Sequence, residues 1–283
     1  ENLSERVVES GFHDLDAQLN GGFQRGNLII VAARPGHGKS ALALNFARHC
    51  ALESTGTVAL FSLEMSGIEL AKRLLASESG ISSPKLTYDD EHEVELQKVM
   101  TAHGSLSEAN IYINEQGDLT VAEIRAAAKR MKAEQGLDLL IVDYLQLVSS
   151  AQRYDSPVAS VTQISRTLKQ IARELDVPVI AAAQLNRAVE QRKPHIPILS
   201  DLRESGSIEQ DADVVMFVYR EAYYLERKEP RPATVEHAEW QAKMNEVAHL
   251  AEIIIGKQRH GPTGNIFLEF EAMFTKFKDR QNN

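Results

Sequence analysis

The sequence has little of what marks secreted or membrane-bound proteins. Its single cysteine, Cys50, cannot form an internal disulfide, which suits a reducing cytoplasm. Its longest wholly apolar runs, such as Leu28 to Ala33, are far below the roughly 20 residues that span a bilayer. No basic and apolar leader opens the sequence. We therefore expect a cytoplasmic protein with no membrane partner.

Positive charge is also in short supply. The chain has 31 lysine and arginine residues against 40 aspartate and glutamate residues, a net charge of −9. This balance excludes a surface coated with cations, although it allows basic loops around a local site. What is present, 43% hydrophobic and 25% charged residues in a chain of 283, is typical of a globular α/β protein. We expect Cys50 to be a small core residue rather than a nucleophile.

Short apolar, β-branched runs alternate with helical stretches, which predicts a mostly parallel central sheet flanked by helices. The runs are LIIVAA from Leu28, TVALFSLE from Thr57, LDLLIVD from Leu137, VPVIAAAQ from Val177, DVVMFVY from Asp213 and AEIIIGKQ from Ala251. Because these strands are continuously apolar, both faces of the sheet should be covered. Near the C-terminus, EIIIGKQR and NIFLEF are joined by HGPTG, which predicts an antiparallel β-hairpin at the sheet edge.

Three segments interrupt this alternation. Thr87 to Ser107 is charged and helical, Ser149 to Pro157 is polar, and Glu221 to His249 contains EPRP followed by a helical stretch around Trp240. Their charges are typical of solvated surface insertions, and we assign them no chemistry.

The strongest motif is ARPGHGKS, from Ala33 to Ser40, which lies between an apolar strand and a helical stretch. Glycines at this position let backbone amides surround a phosphate, and the helix N-terminus adds partial positive charge. We expect Lys39 to contact the β- and γ-phosphates of ATP and the hydroxyl of Ser40 to bind Mg²⁺. The predicted nucleotide-binding set is Arg34, Pro35, Gly36, His37, Gly38, Lys39, Ser40 and Ala41.

This phosphate loop departs from the usual pattern at one position, because Ala33 stands where the first glycine is expected. A glycine-rich turn before a helix is the alternative interpretation. His37 is interpreted as a filler side chain without a catalytic role.

Polar residues end three of the apolar strands, where open α/β sheets place their ligands. Asp143 ends LLIVD and is a candidate Mg²⁺ ligand, while Glu64 ends ALFSLE and could polarise the attacking water. Gln184 ends VIAAAQ and could contact the γ-phosphate. Taken singly, each acidic residue is also compatible with an exposed turn or a helix cap, and Gln184 with a polar residue that leaves a buried strand.

Several stretches together resemble the replicative DNA helicases of the DnaB family. They run in the family's order from about Ser10 to Phe277: SGFHDLDAQLNGGFQRGNLIIVAARPGHGKS, FSLEMS, IVDYLQL, SRTLKQIARELDVPVIAAAQLNRAVEQR, SDLRESGSIEQDADVVMFVYRE and EIIIGKQRHGPTG. The resemblance implies a RecA-type P-loop NTPase fold and a motor domain at residues 11–283. Residues 1–10 would end an interdomain linker, and the family's N-terminal domain has no counterpart here.

The same resemblance implies an ATP- and Mg²⁺-dependent hexameric ring that moves 5′ to 3′ on single-stranded DNA and unwinds duplex. Primase and a helicase loader are possible partners, through the missing N-terminal domain or the ring surface. Two alternatives stay open: a RecA-class recombinase or recombination mediator, and an ATP-dependent assembly scaffold.

Functional residues also follow from the resemblance. The roles of Lys39, Ser40, Glu64, Asp143 and Gln184 coincide with those above, with Glu64 as the catalytic base. The resemblance adds two groups: Arg259 with Lys257, which a neighbouring subunit would receive at its ATP site, and a DNA-binding loop with Arg203, Glu204 and Gly206.

The loop from Asn186 to Ser207 gives this last expectation independent support. It gathers Arg187 and Arg192 with further cations in a polar stretch that leaves the sheet edge at Gln184. Few aromatics lie there, so we expect phosphate contacts and little base stacking. A solvated loop whose acidic residues offset its charge is the alternative.

Overall fold

A computed structural model of the chain describes residues 7–86, 93–149 and 157–280, but not the side chains of residues 93, 94, 157 and 203–207. Within these residues a nine-stranded sheet forms the centre of the molecule, in the order β11-β10-β9-β8-β3-β7-β6-β4-β5. A separate two-stranded sheet pairs β1 with β2.

The strands and helices alternate along the first two thirds of the chain. The strands are β1 (Val7–Val8), β2 (Phe23–Gln24), β3 (Leu28–Ala33), β4 (Val58–Ser62), β5 (Ile111–Asn114), β6 (Leu139–Asp143), β7 (Val179–Gln184), β8 (Val214–Tyr219), β9 (Leu250–Gln258), β10 (Gly264–Glu271) and β11 (Lys276–Asp279). The helices are α1 (His13–Gln18), α2 (Lys39–Leu52), α3 (Gly67–Ser79), α4 (Glu93–Glu108), α5 (Val121–Glu134), α6 (Pro157–Leu175), α7 (Gly206–Asp211), α8 (Glu221–Glu226) and α9 (Val235–Val247).

The central strands are buried on both faces. Along β3, Ile29 and Val31 pack into the core on the side of α2, while Leu28 and Ile30 pack into the core on the side of α6. This alternation follows from the two-residue period of a strand, whose successive side chains point to opposite faces. The result is a three-layer α/β/α domain, as the continuous apolar runs predicted. Cys50 is buried in the α2 layer, and burial raises the pKa of its thiol to about 12, so it is a core residue.

Strand direction divides the sheet into two parts. Strands β8, β3, β7, β6, β4 and β5 run parallel, so their C-terminal ends share one edge. Strands β9, β10 and β11 are antiparallel. Because β9 runs back along β8, its end at Gln258 pairs with the start of β8 at Val214, at the opposite edge of the sheet.

All six predicted apolar strands are confirmed, as is the antiparallel hairpin of β9 and β10. The hairpin does not end the sheet, however, because β11 pairs with β10 beyond it. The strand β5 was also not predicted. Helix α4 confirms the helical part of Thr87 to Ser107, and α8 and α9 account for the insertion at Glu221 to His249.

Residues 87–92 and 150–156, within two of the predicted excursions, lie outside the described residues. The domain boundary at residue 10 stays a prediction, and β1, just before it, already pairs with β2. In the described ranges, no helix is long and apolar enough to cross a bilayer.

Candidate nucleotide site

The phosphate loop joins β3 to α2 at the C-terminal edge of the parallel strands. Gly36 and Gly38 have φ angles of 81° and 101°, a left-handed backbone that favours glycine. A side chain at Gly36 would also lie 2.7 Å from the Tyr223 ring. Gly38 is the N-cap of α2, so the positive N-terminal end of the dipole of this 14-residue helix lies at the loop. The loop can therefore hold a phosphate between backbone amides and a helix N-terminus.

Lys39 meets both predicted carboxylates. Its Nζ lies 3.0 Å from Asp143 Oδ1 and 3.5 Å from Glu64 Oε2. The side chains of Lys39 and Asp143 are only 9% and 4% exposed, whereas that of Glu64 is 52% exposed. The ammonium group also lies 4.5 Å from the centre of the Tyr144 ring, a cation–π contact. The three predicted residues thus form one cluster, with Glu64 on its solvent side.

Glu64 is placed by a turn rather than by the strand itself, because β4 ends two residues earlier. The Ser62 hydroxyl donates to the Met65 carbonyl at 2.8 Å and accepts from the Met65 amide at 3.2 Å. The next amide, that of Leu63, donates to the Asp143 carbonyl. These bonds fix the turn that carries Glu64 beside β6.

Gln184 ends β7 at the same edge and is partly exposed. Its backbone is held on both sides by Gln146, which follows Asp143 in a short 3₁₀ helix, Leu145–Leu147. The Gln146 amide nitrogen donates to the Gln184 carbonyl at 3.1 Å, and the Gln184 amide donates to the Gln146 side-chain oxygen at 3.2 Å. Gln146, which the sequence did not single out, therefore ties the ends of β6 and β7 together.

A cleft of about 920 Å³ opens over the phosphate loop. Lys39, Ser40, Glu64 and Gln184 line it. Asp143 is not among the lining residues, because it lies beneath Lys39. The cleft also brings in residues that sequence reasoning missed: Lys72, Arg73, Arg220, Phe270, Met273 and Thr275.

Arg220 is the most notable of these, since it is 6% exposed and has no carboxylate partner within the described chain. It lies just after β8, with its guanidinium 4.4 Å from the centre of the Phe270 ring. Its Nη1 donates to the Gly36 carbonyl at 3.5 Å, while its Nε finds no hydrogen-bond partner among the described atoms. Burial lowers the pKa of this group. A buried, incompletely satisfied cation beside the phosphate loop suits an anionic ligand.

The antiparallel strands supply the far wall of the cleft. Asn45 of α2 donates to the Thr275 carbonyl at 3.2 Å and accepts from the Phe277 amide at 3.2 Å. Phe277 packs on Phe270, with ring centres 4.5 Å apart. The C-terminal strands are thereby fixed against the helix that follows the phosphate loop.

Ser40 and Asp143 supply the oxygen donors expected for Mg²⁺, a hydroxyl and a carboxylate. Among the residues that the structure describes, no group of three or more His, Cys, Asp or Glu side chains could hold a metal ion. Mg²⁺ sites built from one or two protein oxygens are completed by substrate phosphates and water. The donor set therefore fits a magnesium ion that binds together with a nucleotide.

His37 is buried and uncharged. Its Nδ1 accepts a hydrogen bond from the Arg220 amide at 3.2 Å, so this nitrogen carries no proton. Its ring packs against Tyr223 and Tyr224, with centroids 4.4 and 5.2 Å away. Burial, and then the charges of Arg220 and other nearby arginines, lower its pKa to about 3. These contacts fix the His37 ring in place, and its role as a filler side chain stays a prediction.

Arg34 belongs to the predicted nucleotide-binding set, yet its side chain turns away from the cleft. Its Nε lies 2.9 Å from Glu190 Oε1, and its Nη1 donates to the Leu185 carbonyl at 2.7 Å. Arg34 therefore contributes its backbone, but not its side chain, to the phosphate loop.

The loop after β7 contains two short 3₁₀ helices, Arg187–Gln191 and Leu199–Ser205, the second leading directly into α7. Arg187 is exposed. Arg192 is held within the loop by a two-pronged ion pair with buried Asp201, at 2.8 and 2.7 Å. The backbone of Arg203, Glu204 and Gly206 lies at the junction with α7, and the side chains of Arg203 and Glu204 are outside those described.

Arg259 and Lys257 lie away from this cleft. The Arg259 amide donates to the Asp213 carbonyl, and its guanidinium lies 3.2 Å from Asp213 Oδ1. Lys257 Nζ donates to the Ala212 carbonyl at 2.8 Å and to that of Glu209, at the end of α7. The amide of Leu28, at the start of β3, donates a hydrogen bond to Asp213 Oδ2, whereas the phosphate loop follows the end of β3. The six residues of β3 therefore separate the Arg259–Asp213 pair from the phosphate loop by about 20 Å.

The fold and the phosphate loop define a RecA-type P-loop nucleotide-binding protein. The chain belongs to the DnaB-like helicase C terminal domain family, whose model matches residues 7–279. The membership that the sequence motifs suggested is thereby confirmed.

Curated relatives agree with this assignment. The replicative DNA helicase DnaB of Rickettsia bellii is 44% identical over 284 residues, covering 95% of this chain and 57% of the relative. The replicative DNA helicase DnaC of Bacillus subtilis is 45% identical over 271 residues, covering 95% and 56%. This chain therefore spans a little over half the length of the relatives it matches.

Solved structures share the fold. One described as an ATPase domain is 38% identical with a TM-score of 0.86, covering 97% of this chain and 92% of that chain. A DnaB-like replicative helicase, solved for its interactions with primase, gives the same identity and TM-score and is covered over 64% of its length. A RadB recombinase, 17% identical with a TM-score of 0.56, shows the fold alone, over 97% of this chain and 100% of that one.

Acid should destabilise the protein through His37. Its pKa is about 3 in the fold against an ordinary 6.5, so its stabilising effect is complete above pH 6.5 and is lost as pH falls toward 3. We expect the wild-type free energy of unfolding to fall by about 1.4 kcal/mol per pH unit more than that of His37→Gln below pH 6. Urea unfolding of both proteins from pH 7 to pH 4 measures this, and parallel pH profiles would contradict it.

Proposed function

We propose that this chain is the motor domain of a replicative DNA helicase, which hydrolyses ATP with Mg²⁺ and moves on single-stranded DNA. The observation that carries the proposal is the cluster of Lys39, Asp143 and Glu64 at a phosphate loop, in a chain of the DnaB-like family. Relatives named replicative DNA helicase support it, and the recombinase neighbour shares only the fold.

The chemistry follows from the geometry of the cluster. Backbone amides of the phosphate loop and Lys39 hold the phosphates of ATP. Glu64, on the solvent side and within 3.5 Å of Lys39, orients and deprotonates the attacking water. Gln184, whose backbone Gln146 clamps at the same edge, contacts the γ-phosphate. Ser40 and Asp143 would hold Mg²⁺, which would supply positive charge opposite the phosphates.

Arg259 completes the site of a neighbouring copy. It lies at the sheet edge opposite the phosphate loop of its own chain, farther away than an arginine side chain can reach. A cation at the γ-phosphate is worth roughly 10³ to 10⁵ in rate in enzymes that use an arginine finger. Catalysis then requires an assembly, for which we propose a hexameric ring. Lys257 accompanies Arg259 in this role.

The loop from Asn186 to Ser207 is the proposed DNA grip, with Arg203, Glu204 and Gly206 at its contact point. Two of its acidic residues have partners within the chain, since Glu190 pairs with Arg34 and Asp201 with Arg192. Arg187 and Lys193 are left exposed. We expect contacts with DNA phosphates rather than bases, and hence binding without sequence preference. The role of Arg192 is then to hold the loop rather than to touch DNA.

The remaining roles rest on the relatives. Movement from 5′ to 3′, duplex unwinding, a cytoplasmic location and partnership with primase and a loader are proposed for the whole protein, of which this chain covers part. A primase interaction is described for the solved helicase.

Single-stranded DNA should raise the ATPase rate, and a non-hydrolysable ATP analogue should shift the mass in solution from monomer to ring. Steady-state turnover with and without an oligonucleotide, alongside light scattering, measures both. Slow turnover that DNA does not change would favour an assembly scaffold. Filaments that pair homologous strands without unwinding would favour a recombinase.

Glu64→Gln should cut turnover by about 10²-fold or more and leave nucleotide affinity nearly intact, because a general base acts mainly in the transition state. Lys39→Ala should instead weaken nucleotide binding. Turnover at saturating ATP and binding of a fluorescent ATP analogue separate the two effects. Wild-type turnover in Glu64→Gln would remove Glu64 from the role of base.

Mixing two inactive variants tests whether Arg259 acts in trans. Arg259→Ala and Glu64→Ala in equal amounts, with subunit exchange, should restore activity because some interfaces pair an intact Glu64 with an intact Arg259. Random mixing makes at most about one quarter of the sites competent, if the finger behaves like known trans cases. Arg130→Ala, at an exposed arginine of α5, is the control and should keep full activity. No recovery at any ratio, with exchange verified, would refute the assignment.

A further inference from the structure

Two contacts join the phosphate loop to the loop that follows β7, one directly and one through a residue of α8. The first is the ion pair of Arg34 with Glu190, at 2.9 Å, in which the Arg34 side chain is only 9% exposed. The same guanidinium donates to the carbonyl of Leu185, the residue after Gln184. Arg34 therefore holds the DNA-binding loop at its first 3₁₀ helix and holds Leu185, the residue just before that loop.

The second contact is a series of three neighbouring rings. Tyr224 of α8 lies between His37 of the phosphate loop and His195 of the loop after β7, with centroid distances of 5.2 and 4.3 Å. The His195 and Tyr224 rings are inclined by only 23°. His195 Nδ1 lies 3.4 Å from the carbonyl of Val189, next to Glu190. Both contacts thus reach the same turn of the loop.

The position of Arg34 explains why a rearrangement of one loop would affect the other. Arg34 opens the phosphate loop, and its carbonyl accepts the His37 amide at 3.3 Å within that loop. Its backbone therefore moves with the phosphate-holding amides, while its side chain is anchored to Glu190. A rearrangement of either loop changes the geometry of the pair, and one partly buried charge would lose its counter-ion.

We infer that Glu190 is a positioning residue that couples the phosphate loop to the DNA-binding loop through its ion pair with Arg34. Glu190 touches neither nucleotide nor DNA in this assignment. The inference rests on the proposed function, because it requires that the loop after β7 binds DNA. Since coupling between two sites is reciprocal, the pair makes DNA affinity depend on the nucleotide and nucleotide affinity depend on DNA.

The test is the Glu190→Gln variant, which keeps the size and an acceptor oxygen but removes the charge. In the wild type, the affinity for a fluorescent oligonucleotide should differ between ADP and a non-hydrolysable ATP analogue. In Glu190→Gln that ratio should shrink about 5-fold or more, with ATPase in the absence of DNA unchanged and stimulation by DNA reduced. Glu190→Asp, which retains the charge, should restore part of the ratio.

Asp201→Asn is the matched control, because it loosens the same loop through Arg192 without touching Arg34. It should weaken DNA binding alike in both nucleotide states. The same uniform weakening in Glu190→Gln, with a lower melting temperature, would mean that Glu190 only stabilises the loop and would overturn the inference. An unchanged ratio in Glu190→Gln would also overturn it. A wild type that binds no DNA in either state would instead refute the proposed function, and the inference with it.

Discussion

The common direction of the six parallel strands determines where every functional group in this chain can lie. Because β3, β7, β6 and β4 all end at one edge, residues from four distant parts of the sequence meet over the phosphate loop. The same constraint sends the antiparallel β9 to the other edge and carries Arg259 with it. One geometric rule thus brings Lys39, Glu64, Asp143 and Gln184 together and places Arg259 at the opposite end of the strands.

The ion pair of Lys39 and Asp143 is better explained by its place in the nucleotide site than by any contribution to the stability of the fold. Burying two charges costs several kcal/mol per ion, and their attraction returns about as much only with good geometry. The site keeps the cost low with a 3.0 Å contact and the nearby Tyr144 ring. Arg220 remains buried without a carboxylate partner among the described residues, which leaves one uncompensated positive charge in the site for an anionic ligand.

Sequence reasoning succeeded where the signal was local. The strands β3, β6, β7 and β8 are long, continuously apolar runs, and the polar residue that ends each of β6 and β7 follows from the strand itself. Strand β11, KFKD, contains one buried residue in four, too little for a periodic signal. Strand β5, IYIN, has no fully buried residue and was missed for the same reason.

The parts of the site that could not be predicted depend on contacts between distant segments. Phe270 reaches the cleft because the antiparallel strands pack against α2, a contact with no local marker in the sequence. Arg220 follows the parallel strand β8 at the phosphate-loop edge, but its contact with Phe270 depends on those same antiparallel strands. Spacing placed Arg34 in the phosphate loop but could not give the direction of its side chain, which Glu190 determines. The contact of Gln146 with Gln184 likewise depends on β6 and β7 lying side by side, which the sequence does not show.

The placement of Arg259 affects how many complete sites an assembly of these chains can contain. If each complete site needs the phosphate loop of one copy and the arginine of the next, sites belong to boundaries rather than to chains. A closed ring then has as many working sites as members, whereas an open or spiral arrangement has one fewer, with an idle phosphate loop at one end and an idle arginine at the other. Opening the ring to admit a strand would therefore silence the boundary that opens, and closure around the strand would restore it.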